Sequence, residues 1–179
     1  MPEPRTMSAP ANTSLFSAIN GEMRWLAADP HTVFVGQSVA YDGARIYDSL
    51  AGVPMEKRLE MPVIEDFQLG YCTGLALAGK FPICIYPRID FMLLAMNQLV
   101  NHLDKFPLMG WHPKMIIRTC VGAKTPLDAG PQHTQDHTDA FRAMLDTVRV
   151  DRVRTAKEVE RAYAMAAVYR YSTLIVEGE

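Results

Sequence analysis

Apolar and polar positions along this chain alternate between a helical period and short unbroken apolar runs, and the changes between them mark out its elements. Leu15, Ile19, Met23 and Leu26 recur at helical spacing behind Thr13 or Ser14 as N-cap, so a helix is expected to about residue 28, ended by Asp29-Pro30. Residues 32–36 (TVFVG) form a short strand, and Gly36, Asp42 and Gly43 mark a loop after it. Residues 44–56 read as a weak helix or an irregular crossover. A strand is expected over 58–63, a helix rich in small residues over 66–78, and a third strand over 81–86 (FPICIY). Residues 90–105 predict a strong helix. Phe91, Met92, Leu93, Leu94, Met96, Leu99, Val100 and Leu103 cover most of its circumference, as in a helix that is central or buried against another chain. After a turn-rich link at 106–113 come a strand (114–121), a long Gly/Pro/Asp loop (122–135), a short helix (136–145) and a strand (147–153). Thr155 and Glu158 form a capping box for a helix carrying Val159, Ala162, Tyr163, Ala166 and Ala167. Residues 172–177 close the pattern as a last strand.

Strands alternating with helices predict an α/β fold: a doubly wound, mostly parallel sheet of about six strands with helices on both faces. Residues 1–12, with three prolines, are expected to be a flexible arm, and 13–179 a single domain.

Composition narrows the setting rather than the fold. The chain has 179 residues, 49% of them hydrophobic and 21% charged, enough for one domain with a real core. A formal net charge of −2 offers no electrostatic reason to expect nucleic acid or an anionic membrane. No apolar run approaches the length of a membrane span, and the opening residues are not expected to act as a signal peptide. Cys72, Cys84 and Cys120 lie in apolar segments without metal-type spacing and read as buried free thiols, which points to the cytoplasm.

Candidate chemistry centres on residues 61–79 (MPVIEDFQLGYCTGLALAG). A short apolar lead delivers Glu65-Asp66 to the start of a tightly packed helix. In open α/β sheets ligands sit beyond the carboxyl ends of the strands. A carboxylate placed there is partly desolvated, an environment suited to proton transfer. Spacing alone leaves open that Glu65 is simply an acid at a helix N-terminus. The same end of the sheet would gather the loop after Gly36, the segment from Tyr86 to Phe91, and the loop holding His133. Dinucleotide, phosphate-loop and nucleophile-elbow motifs are missing, and His133 with His137 does not make the HExxH zinc pattern, so no metal ligands are expected.

Four short motifs in order give these residues a setting. They are Gly36-Gln37-Ser38-Val39 with Tyr41-Asp42-Gly43; Pro62-Val63-Ile64-Glu65 with the small-residue helix; Phe91 through Ala95, Asn97, Gln98 and Asn101; and Gln132-His133-Thr134-Gln135. Together they resemble the pyrimidine-binding, transketolase-like domain of thiamine diphosphate enzymes, most closely the beta subunit of 2-oxoacid dehydrogenases without its C-terminal domain. Gln37 departs from the pattern, which usually has an acid there.

The resemblance implies that Glu65 hydrogen-bonds the aminopyrimidine ring nitrogen, favouring the tautomer that deprotonates the thiazolium. Phe91, or less directly Tyr86, would pack on the pyrimidine, Gln98 would lie on the cofactor side, and His133 would face cofactor and substrate. It also implies a split enzyme. The diphosphate and Mg2+ would be held mainly by a partner subunit, in a heterotetramer paired partly through residues 90–105. The reaction would be decarboxylation of a 2-oxo acid or transfer of its acyl or two-carbon unit. Ketol transfer on sugars, a dehydrogenase beta-like component and a non-catalytic assembly subunit stay open as alternatives.

Overall fold

The computed structural model describes residues 13–125 and 128–178. The expected arm at 1–12 lies outside the described residues. Six strands, β1 (Thr32–Gly36), β2 (Arg58–Glu60), β3 (Phe81–Ile85), β4 (Ile116–Cys120), β5 (Arg149–Val153) and β6 (Thr173–Glu177), form one sheet in the order β2-β1-β3-β4-β6-β5. Every pairing is parallel. β3 and β6 are buried along their whole length, as strands covered on both faces must be.

Two apolar layers clamp the sheet. On one face α1 (Leu15–Ala27), α2 (Arg45–Ser49) and α5 (Ala156–Val168) pack Met23, Leu26, Leu50 and Tyr163 onto Phe34, Ile83, Ile85, Ile116 and Ile175. On the other, α3 (Glu65–Leu77), residues 89–103 and α4 (Thr138–Met144) pack Leu69, Met92, Leu99 and Phe141 onto Val35, Cys84, Ile117 and Leu174. Local chemistry sets the helix starts. Ser14 accepts from the Ser17 amide at 3.1 Å, and the Thr155–Glu158 capping box is complete.

Two expected elements come out differently. The second strand stops at Glu60, not at 63. The Met61 amide still reaches the Gly36 carbonyl at 2.8 Å, but Pro62 has no N–H with which to extend the ladder. Residues 90–105 are not one α-helix. A 3₁₀ stretch, Ile89–Ala95, runs into a π-wound stretch, Asn97–Leu103. The buried side chains explain the winding. Ile89, Met92 and Ala95 are three apart, whereas Ala95, Leu99 and Leu103 are four apart. A tight period and then a loose one keep a single face on the sheet. The segment is therefore one-sided, with Leu93 and Leu94 exposed.

Candidate functional site

Chain direction across the sheet reverses between β1 and β3. From β1 the chain moves outward to β2, then crosses back to β3 on the other side. The carboxyl end of such a switch point is an open crevice, because the two crossovers diverge from it. Gln37 leaves β1 at this crevice, Tyr86 leaves β3, and Glu65 enters it as the first residue of α3.

Glu65 is gripped from both strands. Its carboxylate Oε1 accepts from Gln37 Nε2 at 3.4 Å, and its backbone carbonyl accepts from the Tyr86 hydroxyl at 2.9 Å. The side chain is 5% exposed. Oε2 has no partner among the described residues. Glu65 stands with Asp66 in the first turn of α3, as an acid at a helix N-terminus does; the N-cap residue is Ile64, which makes no side-chain cap bond. A buried carboxylate with one oxygen fixed and one open is arranged to accept a proton or a hydrogen bond from a ligand.

Tyr86 has no exposed surface. It is expected, after Phe91, as a residue packing on the pyrimidine; here its ring is enclosed and its hydroxyl meets the Glu65 backbone. Burial, with the Cys84 thiol beside it, drives the phenol proton affinity far above its ordinary value, so the hydroxyl stays a donor. Gln98 is likewise occupied. Its amide reaches Asp66 Oδ2 at 3.4 Å and lies over Gly70, where an added Cβ would touch it at 3.4 Å. It braces the π-wound stretch against α3.

Phe91 and His133 meet edge to face, ring centroids 5.5 Å apart at 86°. His133 Nδ1 lies 3.1 Å from the Ala129 carbonyl, which leaves Nε2 as the ring's open nitrogen. Two ties hold this loop against the sheet. Gln135 donates to the buried Asp90 carboxylate at 3.1 Å, and the His133 carbonyl packs so tightly on Gly122 that a Cβ there would come within 1.9 Å. Asp90 also faces His137 Nε2 at 3.8 Å.

Sequence reasoning missed several contributors. Gln37 stood out only as a departure from the resemblance, although its place at the end of β1 puts it against Glu65. Glu60 accepts the amides of Ser38, Val39 and Ala40 at 2.6, 2.8 and 2.8 Å, shaping the loop after β1 around Ser38 at φ 59°. Nothing in its sequence surroundings marks that role. Cys120, expected to be buried, is only partly covered. Burial pushes its thiol up, against the pull of Arg88. Among the described residues no group of three or more His, Cys, Asp and Glu side chains is placed to hold a metal ion, and no helix is long and apolar enough to cross a membrane.

Comparisons with known proteins follow the same lines. No family model matches the chain. It is 34% identical over 137 residues to the mitochondrial pyruvate dehydrogenase E1 component subunit beta of Rattus norvegicus, covering 72% of this chain and 38% of that one. It is 30% identical over 104 residues to the 3-methyl-2-oxobutanoate dehydrogenase subunit beta of Mycobacterium tuberculosis, covering 56% and 28%. The chain thus spans well under half the length of these curated relatives. Among solved structures, a split gene transketolase, an inactive beta4 tetramer, superposes with a TM-score of 0.70 at 17% identity, over 91% of this chain and 50% of that one.

Proposed function

Since this chain is a homologue of the beta subunits of 2-oxoacid dehydrogenases, folded as a transketolase-like α/β domain, we propose that it is the pyrimidine-binding subunit of a split thiamine diphosphate enzyme. The observation that carries this reading is Glu65: buried at the switch point, anchored through Oε1, and open at Oε2. That oxygen is suited to the ring nitrogen of an aminopyrimidine, and the partly covered Phe91 is suited to its face. When bound, the cofactor supplies the electron sink for breaking a bond beside a carbonyl.

This chain's own residues then have distinct tasks. Glu65 holds the pyrimidine proton, Gln37 keeps the carboxylate aimed, and Tyr86 fixes the backbone that carries it. Phe91 packs against the ring, and His133 presents Nε2 to the substrate. Diphosphate and Mg2+ fall to a partner subunit. The exposed Val63, Ile64, Phe67, Leu93 and Leu94 supply an apolar surface on which that partner closes the crevice. The reaction is decarboxylation of a 2-oxo acid, with or without transfer of the resulting unit.

The test is a titration of thiamine diphosphate and Mg2+ into the chain alone and into the chain mixed with a diphosphate-binding subunit. Tight binding is expected only in the mixture. Micromolar binding by this chain alone ends the split-site reading, and turnover of ketose phosphates in preference to 2-oxo acids moves the assignment to ketol transfer.

A further inference from the structure

Arg88 is a cation at the carboxyl ends of β3 and β4 with no acid answering it among the described residues. None of the ion pairs among the described residues includes it. By contrast Arg118, Arg142, Arg149 and Arg152 each face a carboxylate. Arg24, Arg45, Arg58, Arg161 and Arg170 are also outside these ion pairs; of them Arg58 spends its donors on the carbonyls of Val39, Leu50 and Val53, and Arg45 and Arg170 lie over the Phe16 and Tyr171 rings. Arg88 is half-buried and uses one nitrogen only, Nη1, which donates to the Pro87 carbonyl at 2.8 Å and to Cys120 Sγ at 3.3 Å. These bonds hold the guanidinium across the ends of β3 and β4 and leave Nε and Nη2 without a partner among the described residues.

Its neighbours are residues to which the proposed function gives ligand contacts. The space over Gly122 is bounded by Arg88 Nε, 3.1 Å from where a Cβ would stand, and by the His133 carbonyl at 1.9 Å. The Phe91 amide bonds the Arg88 carbonyl at 3.2 Å, so one turn fixes the cation relative to the aromatic ring against which His133 packs. A partly desolvated guanidinium with two unused donors matches an oxyanion bidentately.

We propose that Arg88 is the substrate anion contact of this site, selecting donors that carry a carboxylate or a phosphate. The proposal deepens the thiamine diphosphate reading and rests on it for the word substrate. The anion site itself does not depend on it.

Two measurements test it. In the first, the full chain labelled with 15N is titrated at constant ionic strength with inorganic phosphate and, separately, with pyruvate. Saturable shifts of the Gly122 amide and the His133 ring nitrogens are expected. They should vanish in Arg88→Gln and persist, weakened, in Arg88→Lys, with the Tm of both variants checked against the parent. The anion that saturates at lower concentration identifies carboxylate or phosphate as the natural group. No shift in the parent chain, or equal shifts in Arg88→Gln, overturns the proposal. In the second, the enzyme reconstituted with its partner should show KM for the anionic donor raised roughly 10–100-fold in Arg88→Gln, with kcat nearly kept. A loss confined to kcat overturns the assignment. If the reconstituted mixture binds no thiamine diphosphate, the functional reading fails, and the phosphate and pyruvate titrations still decide the anion site.

Discussion

The Tyr86 hydroxyl donates to the backbone carbonyl of Glu65 at 2.9 Å, a bond between the end of β3 and the first turn of α3 that crosses 21 residues of chain. The sheet, rather than the short 61–64 linker, therefore sets where Glu65 stands. Tyr86→Phe keeps the packing and removes this one bond. It should lower stability by about 1 kcal/mol, or about 2–4 °C in Tm. Turnover of the reconstituted enzyme should fall more steeply than that change in stability accounts for. Thermal unfolding and steady-state kinetics on the same preparation check both.

Glu65→Gln preserves shape and burial and removes the carboxylate's capacity to take a proton. The variant should fold and assemble normally and lose more than the ~10²–10⁴-fold typical of general acid–base catalysis. Full activity in assembled Glu65→Gln enzyme would remove Glu65 from the chemistry.

Gly36 ends β1 where the Ile85 carbonyl crosses it, and a Cβ there would lie 2.3 Å from that backbone oxygen. A backbone atom cannot rotate away as a side chain can. Gly36→Ala should therefore cost at least about 2–3 kcal/mol and part β1 from β3 beneath Gln37. Urea unfolding gives the cost, and amide exchange in β1 and β3 shows where it falls.

Asp104 predicts a pH dependence. Its carboxylate is fully buried and accepts the amides of Asp146, Thr147 and Val148 at 3.0, 2.8 and 2.9 Å, plus Lys105 at 2.8 Å. Burial opposes its charge, but the Lys105 ammonium and these amides outweigh burial and hold it below the ordinary 3.8. A carboxyl depressed on folding stabilises the fold above its unfolded value, and that contribution fades as pH falls through the folded one. Asp104→Asn should cost about 2–3 kcal/mol at pH 7, and the gap to the parent chain should narrow below about pH 4. Denaturation series at pH 7, 5 and 3 measure it; a gap constant across the series contradicts the assignment.

Much of the architecture was legible because its signals are local. The runs at 32–36, 81–86 and 172–177 are short, apolar and β-branched, and Thr155 with Glu158 marks a helix start within four residues. Glu65 drew attention as an acid ending an apolar lead, but spacing alone left a plain helix-terminal acid open, and the role proposed for it came from the resemblance. The side of the sheet that a residue faces was not legible where strands are buried on both faces. β3 is apolar throughout, so no alternation showed that Tyr86, one residue past its end, is fully enclosed. The apolar circumference of residues 90–105 hid the change of winding for the same reason. The Gln37–Glu65 bond joins residues 28 apart, a pairing that only the crossover from β2 to α3 creates.

The outer strands of the sheet have a consequence for handling the chain by itself. On one side β2 offers only three residues to a foreign strand. On the other, β5 presents Arg149, Asp151 and Arg152, with Arg149 bonded to Asp151 and Arg152 to Asp136. Short and charged borders of this kind resist strand-to-strand aggregation. Self-association of the isolated polypeptide is thereby left to its exposed apolar side chains, among them Val63, Ile64 and Phe67 at the head of α3 and Leu108, Met109 and Trp111 ahead of β4. Its aggregates should be reversible and relieved by mild detergent rather than amyloid-like.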